Sequence, residues 1–146
     1  MNEFEITTVI DRPSEEVFAA LLNFERAGDW NPGVSRAEQL SDGPFGEGSR
    51  VRYEGRFLGR SFESTSECVS FDAGRSFATK TISGPFMLEI ESTLEPSGPS
   101  TRLVNRYRGE SQGFFKLAEP VVVRLTKRQF EAANENLKEM LEARLL

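Results

Sequence analysis

The sequence predicts an α+β domain: a long curved antiparallel sheet of about seven strands, two short helices after the first strand, and a long C-terminal helix against the sheet. Three observations predict it. The opening residues, and nearly everything from Val34 to Glu110, alternate apolar and polar side chains with period two, as strands wet on one face do. Turn clusters interrupt that region at roughly ten-residue intervals, the spacing of a meander. From about Phe114 the period becomes helical and holds to the end of the chain. With 146 residues the chain is expected to form a single domain, 1–146, burying roughly two-thirds of its unfolded surface.

The elements follow in order. Phe4, Ile6, Thr8 and Ile10 share one face of the first strand, with Glu3, Glu5, Thr7 and Val9 on the other. The segment 11–16 then opens a helix. Pro13 and Ser14 are start signals, and Glu15 and Glu16 sit where the helix dipole favours negative charge. Val17, Phe18, Leu21 and Leu22 form its apolar stripe. Residues 23–32 read as a second short helix ending near Gly28, followed by an exposed segment at residues 29–33.

Within the meander Val51, Tyr53, Gly55 and Phe57 alternate with Arg50, Arg52, Glu54 and Arg56. Leu88, Ile90, Ser92 and Leu94 alternate with Glu89, Glu91 and Thr93 in the same way. Leu103, Asn105 and Tyr107 alternate with Arg102, Arg106 and Arg108, and Val104 breaks the polar set. Residues 41–44, 72–74, 83–85 and 96–99 are turn clusters. In the last segment Ala118, Val121, Val122, Leu125, Phe130, Ala133, Leu137, Met140 and Leu141 make one stripe, with residues 114–119 a separate turn and the helix beginning near Pro120. Such a helix runs about 37 Å, enough to cross a sheet.

Composition removes many chemistries. There is no His, which excludes Ser-His and Cys-His nucleophiles and His-held metals. The single Cys excludes an internal disulfide and a Cys-based metal cluster, so neither a metal nor a cofactor is predicted. A net charge of −5 argues against a nucleic-acid partner, which needs a broad basic footprint. No apolar run approaches the length of a membrane helix, and no signal peptide is visible, so membrane insertion is not expected and a cytoplasmic location is.

A bent sheet gripping one helix has more concave face than the helix fills, and this predicts a pocket between them. Here Ile10-Asp11-Arg12-Pro13-Ser14-Glu15-Glu16-Val17-Phe18-Ala19-Ala20-Leu21, followed by Asp29-Trp30-Asn31-Pro32-Gly33-Val34, resembles the opening of the START-like, or SRPBCC, superfamily. The resemblance is to its polyketide cyclase/dehydrase branch, which shares the helix-grip fold of the Bet v 1-like plant pollen allergens. Phe114-Phe115-Lys116-Leu117-Ala118-Glu119-Pro120, Arg128-Gln129-Phe130-Glu131 and Asn136-Leu137-Lys138-Glu139-Met140-Leu141-Glu142 are similar to the closing helix of small bacterial members. The resemblance implies a deep apolar cavity for a lipid-like or polycyclic ligand. It does not imply a reaction, since one fold hosts binders, transporters, cyclases and chaperone co-factors.

Candidate ligand-binding residues are Trp30, Tyr53, Phe57, Phe77, Phe86, Leu88, Asn105, Tyr107 and Phe114; no catalytic residue is assigned. Trp30 reads equally as a ligand-contacting ring or as an anchor of the helix pair to the sheet. The polar tips of Tyr53, Asn105 and Tyr107 need partners, found on a ligand, a water or a neighbouring strand or helix, and Thr8, Ser64, Ser66 and Ser92 share that choice. Phe57, Phe62, Phe77, Phe86 and Phe114 are core or cavity wall. Residues 43–48 read as a strand connection able to act as a lid, since Glu47 and the missing Lys-Ser/Thr argue against a phosphate loop. Cys68 is a structural thiol, and the pairs Glu15-Glu16 and Glu89/Glu91 are solvated charges. Arg124, Lys127 and Arg128 form a solvated helix face, with a homodimer or anionic partner as the alternative.

The expected function is binding of an apolar or amphipathic small molecule in the cavity. Two alternatives stand beside it: a polyketide cyclase/dehydratase-type enzyme using that cavity, and a protein-binding module of chaperone-activator type.

Overall fold

A computed structural model of the chain describes residues 2–111 and 114–146; the side chains of Phe114 and Phe115 lie outside the described residues. The chain runs β1 (Asn2–Ile10), α1 (Ser14–Leu21), a 3₁₀ turn (Phe24–Arg26), α2 (Ala27–Trp30), β2 (Val34–Gln39), β3 (Arg50–Phe57), β4 (Arg60–Asp72), β5 (Ser76–Ser83), β6 (Phe86–Ser97), β7 (Ser100–Ser111), α3 (Phe114–Leu117) and α4 (Glu119–Glu142). The seven strands form one curled antiparallel sheet in the order β1-β7-β6-β5-β4-β3-β2. Every neighbour pair except β1–β7 is also adjacent in sequence, so the meander is as expected and its first strand closes against its last.

Register shifts help the sheet bend. They fall between Val34 and Arg36 in the β2–β3 pair, and at Thr65/Ser66 and Cys68/Ser70 in the β4–β5 pair. Each inserts backbone on one strand alone and so bends it. Gly55 of β3 lies where a Cβ would strike the Gly33 carbonyl oxygen, so only glycine lets the loop before β2 pass this close.

Helix α4 covers the concave face and is tied to β1 at both ends. Near its start Asn2 Nδ2 donates to Glu119 Oε1 at 2.7 Å. Near its end Lys138 Nζ donates to the Val9 carbonyl at 2.7 Å, and the Asp11 amide donates to Glu142 Oε2 at 2.9 Å. The lysine also occupies a carbonyl on the exposed edge strand, which guards that edge against stray pairing. Ile10, Val17, Leu103 and Leu137 are fully enclosed and, with Phe18, Cys68, Phe77, Leu94 and Leu141, make the principal core.

Three sequence expectations are corrected in detail, and one turn is added to those the sequence marks. The second helical segment continues through Gly28 to Trp30, because Gly28 is there for close packing: a Cβ would sit 3.1 Å from the Val34 carbonyl oxygen. The β3–β4 hairpin turns at Leu58-Gly59, both with positive φ, where no Asn, Asp or Pro announces a turn. Residues 43–48 are no lid, because Phe45 is wedged into the core with ring centroids 5.2 Å from Phe24 and 6.0 Å from Phe77. On α4, which begins at Glu119 with Pro120 in its first turn, Val122 is buried but Val121 is 41% exposed, since neighbouring helical residues point about 100° apart. Among the described residues no helix is long and apolar enough to cross a membrane.

The two kinds of apolar position separate under mutation. Leu137→Ala is expected to lower unfolding free energy by about 2–5 kcal/mol, the cost of a core cavity. Val121→Ala should stay within about 0.5 kcal/mol. Urea unfolding followed by circular dichroism measures both.

Candidate functional site

The concave face and α4 enclose a cavity of about 230 Å³. Its floor is built by the strand period: inward residues of adjacent strands stand side by side across the sheet. Tyr53 of β3 faces Ser64 of β4, Phe77 of β5 faces Ser92 of β6, and Ser92 faces Asn105 of β7. The roof is α4, which contributes Val122, Val123, Thr126, Gln129, Phe130 and Asn134. Leu21, Phe24, Ala27 and Trp30 close one side. The lining reaches the end of the sheet that carries the Leu58-Gly59 turn, the β5–β6 connection and the end of β7, where Phe57, Phe86 and Glu110 belong to the wall.

Aromatic rings organise the walls. Phe4, Tyr107 and Phe130 form a three-ring stack, with centroids 4.7 Å apart between Phe4 and Tyr107 and 4.4 Å between Tyr107 and Phe130. That stack fixes α4 onto β1 and β7. At that end of the sheet Phe86 meets Phe57 at 5.4 Å and Phe62 at 5.7 Å, both edge-to-face. On the core side Phe77 meets Phe18 at 5.8 Å, so this ring is both core and cavity wall. Trp30 likewise does both: it packs on the main core, its carbonyl accepts from Asn136 Nδ2 at 3.1 Å, and it borders the cavity.

The polar groups on the walls are only partly satisfied. Ser92 Oγ donates to Asn105 Oδ1 at 2.7 Å, and Thr81 Oγ1 accepts from the Leu88 amide at 3.2 Å. Two donors have no acceptor among the described residues: Trp30 Nε1 and Asn134 Nδ2, both buried. Asn134 as a whole is only 4% exposed. Its amide acts on the Tyr107 hydroxyl as a polar neighbour that favours the phenolate, opposing the effect of burial. A buried donor left unmatched costs on the order of 1–3 kcal/mol.

Burial keeps both tyrosines neutral. Tyr53 is half-buried by exposure because its ring borders the cavity, but protein surrounds it deeply enough to push its hydroxyl up to about 12. Desolvation also raises Tyr107, further than the nearby Asn134 amide can offset. Burial likewise raises the Cys68 thiol, whose Sγ lies 3.2 Å from the Ser70 carbonyl oxygen, in keeping with a structural role. Among the described residues no Lys or Arg side chain lines the cavity, and Glu110 is its one carboxylate. The cations of β7 are on the convex face instead: Arg106 bridges Glu5 and Glu91, and Arg108 bridges Glu3 and Glu89. Among the described residues no group of three or more Cys, Asp or Glu is placed to hold a metal ion.

Of the nine candidate residues, the structure places Trp30, Tyr53, Phe57, Phe77, Phe86, Leu88, Asn105 and Tyr107 on the cavity wall, while the Phe114 side chain lies outside the described residues. Ser64, Ser66 and Ser92 also line it, whereas Thr8 does not. Asn134, Gln129 and Thr126 went unnoticed in the sequence because the helix stripe was traced through apolar residues alone. Asn134 falls four residues after Phe130 and three before Leu137, so helical spacing already put it on the buried face.

The tyrosines give this site a pH signature. Above a pH of about 10 the unfolded chain sheds phenol protons that the folded chain retains, so stability must fall as pH rises from there. Urea unfolding between about pH 9 and pH 11, a window set by the ordinary phenol pKa of about 10, should show that decline, and Tyr53→Phe should make it shallower. A decline unchanged by the substitution would contradict the burial of the Tyr53 hydroxyl.

Comparison with known proteins agrees with this geometry. Residues 1–142 match the family model described as polyketide cyclase / dehydrase and lipid transport. None of the curated proteins compared with the chain matches it. Among solved structures, TTHA0849 from Thermus thermophilus is similar with a TM-score of 0.83 and 21% identity, over 97% of this chain and 98% of that one. The Zhui aromatase/cyclase from Streptomyces sp. R1128 has a TM-score of 0.82 and 18% identity, over 99% of this chain and 96% of that one. A START superfamily protein from Mycobacterium smegmatis has a TM-score of 0.76 and 22% identity, over 97% and 95%. At these identities the structural likeness establishes the helix-grip fold.

Proposed function

The chain belongs to the polyketide cyclase/dehydrase and lipid transport family, and from that premise we propose that it binds a hydrophobic or amphipathic small molecule, lipid-like or polycyclic, between the sheet and α4. The observation that carries this reading is the aromatic-walled cavity of about 230 Å³ between the sheet and α4. An apolar ligand gains by leaving water, at about 25 cal/mol per Å² of apolar surface buried. The walls that would receive it are Trp30, Tyr53, Phe57, Phe77, Phe86, Leu88, Asn105 and Tyr107. The few polar groups among them would set its orientation.

One observation favours a second reading, cyclisation or dehydration of a polyketide-like substrate in the same cavity. The Tyr53 hydroxyl borders the cavity, is held protonated near neutral pH, and makes no side-chain hydrogen bond among the described residues. In a dehydration its proton would pass to the departing hydroxyl, which leaves as water, and the phenolate so formed would take up the proton released from the neighbouring carbon, restoring the phenol. Shape would supply the rest, since holding a flexible chain in one reactive conformation removes a large part of a barrier. Under this reading Tyr53→Phe abolishes turnover and leaves binding in place.

A single tryptophan makes the binding test direct. Titration with N-phenyl-1-naphthylamine, a neutral apolar fluorophore, should quench Trp30 emission with a saturable profile and brighten the probe. Native mass spectrometry of freshly purified protein should show a bound small mass. If Trp30 is unmoved by this probe and by a fatty-acyl and polycyclic panel, and nothing co-purifies, the container reading fails.

A further inference from the structure

The cavity uses one side of α4, and the opposite side carries its charges in an order that solvation alone does not explain. Val121, Arg124, Arg128, Glu131, Glu135 and Lys138 follow one another at intervals of three and four residues, so they form a single stripe along the helix. The stripe faces away from Val122, Ala133, Asn134 and Leu137, which are buried. Arg124, Arg128, Glu131 and Glu135 are all exposed, and among the described residues none of the four makes a hydrogen bond or ion pair. Farther along, the helix does pair its charges: Lys138 Nζ bonds Glu142 Oε2 at 2.7 Å. In the stripe they are sorted into blocks instead, two arginines four residues apart and then two glutamates four residues apart. Within one helix each such like-charged pair is repulsive, and interspersed signs are more favourable.

We propose that the outer face of α4 is a self-complementary interface, through which two copies of this chain form an antiparallel dimer with two-fold symmetry. A two-fold axis passing between residues 129 and 130 sets Arg124 opposite Glu135, Arg128 opposite Glu131 and Val121 opposite Lys138. The operation is its own inverse, so each pairing occurs twice and every block of like charge faces its opposite. The alternating three- and four-residue spacing is the one that keeps a stripe on the seam between two paired helices. Val121, 41% exposed, rests there on the methylene stem of Lys138 from the second copy. The residues of α4 that line the cavity are on its other side, so the seam leaves the cavity wall free. Exposed ion pairs are individually weak and little apolar area joins them, so the dimer is weak and sensitive to salt.

Sedimentation equilibrium of the full chain tests it. A monomer–dimer equilibrium with a Kd on the order of 10–100 µM is expected in low salt, weakening at least about fivefold when NaCl is raised from about 50 mM to about 500 mM. The double variant Arg124→Glu/Arg128→Glu makes the stripe acidic, and Glu131→Arg/Glu135→Arg makes it basic. Each alone should be monomeric with an unchanged circular dichroism spectrum, since all four side chains are exposed. Mixed in equal amounts, the two variants should form a heterodimer, because all facing pairs are again of opposite sign. Both variants keep a net negative charge, so overall charge does not draw them together. A wild-type chain that is monomeric at about 500 µM in low salt overturns the inference. So does association that survives either double substitution, or a mixture that stays monomeric. A monomeric wild type that floats with phosphatidylglycerol vesicles would give the arginine block to an acidic surface and likewise overturn self-pairing.

Discussion

The structure depends on one mismatch of area: a seven-stranded sheet curled on itself offers more concave apolar face than a single helix can cover. Part of that surplus is packed with side chains and part is left as the cavity. Every one of the ten phenylalanines whose side chain is described meets another aromatic ring. They form a stack under α4, a trio at one end of the sheet and a cluster toward α1. Each group contributes rings to the cavity wall: Phe4 and Phe130 from the first, Phe57, Phe62 and Phe86 from the second, Phe24 and Phe77 from the third. The phenylalanine excess is thus a way of making stiff walls from side chains with few rotatable bonds.

Charge is divided as sharply as shape. The convex face carries alternating Arg and Glu side chains in cross-strand ladders, exposed enough that each pair adds little stability and mainly keeps that face wet. The inner face of the same strands carries hydroxyls, amides and rings. Period-two alternation therefore does more than separate core from solvent: it yields an interior whose proton donors keep their protons at neutral pH. The absence of His from the whole chain fits such an interior, which changes its charge little across the physiological range.

Most of the fold was legible in the sequence because it is written in periods. The alternation at Leu103, Asn105 and Tyr107 marked the inward face of β7, and the 3.6-residue stripe through Leu137 and Leu141 marked the buried face of α4. What escaped were features whose cause lies elsewhere in the chain. Gly28 has the look of a helix stop, but its reason is the β2 carbonyl beside it. Phe45 sits in a glycine-rich loop, and nothing local says that its ring belongs among Phe24, Phe71 and Phe77. The site divides along the same line. Aromatic wall positions on strands follow from alternation, whereas the unmatched state of Trp30 Nε1 and Asn134 Nδ2 emerges only when all possible acceptors are in place.

The pairing of β1 with β7 also sets an order on folding. Each of the other five strand pairings joins sequence neighbours and can form from a local loop. Joining Phe4 to Tyr107 instead closes a loop spanning most of the chain, and the ring stack that secures it also needs Phe130 of α4. Loop-closure entropy places that step after the hairpins. During synthesis, then, β1 must wait for its partner until the five strands between it and β7, and β7 itself, have emerged. Its charged face, Glu3 and Glu5, keeps it soluble in the meantime, and the same acids then meet Arg108 and Arg106 as the sheet closes.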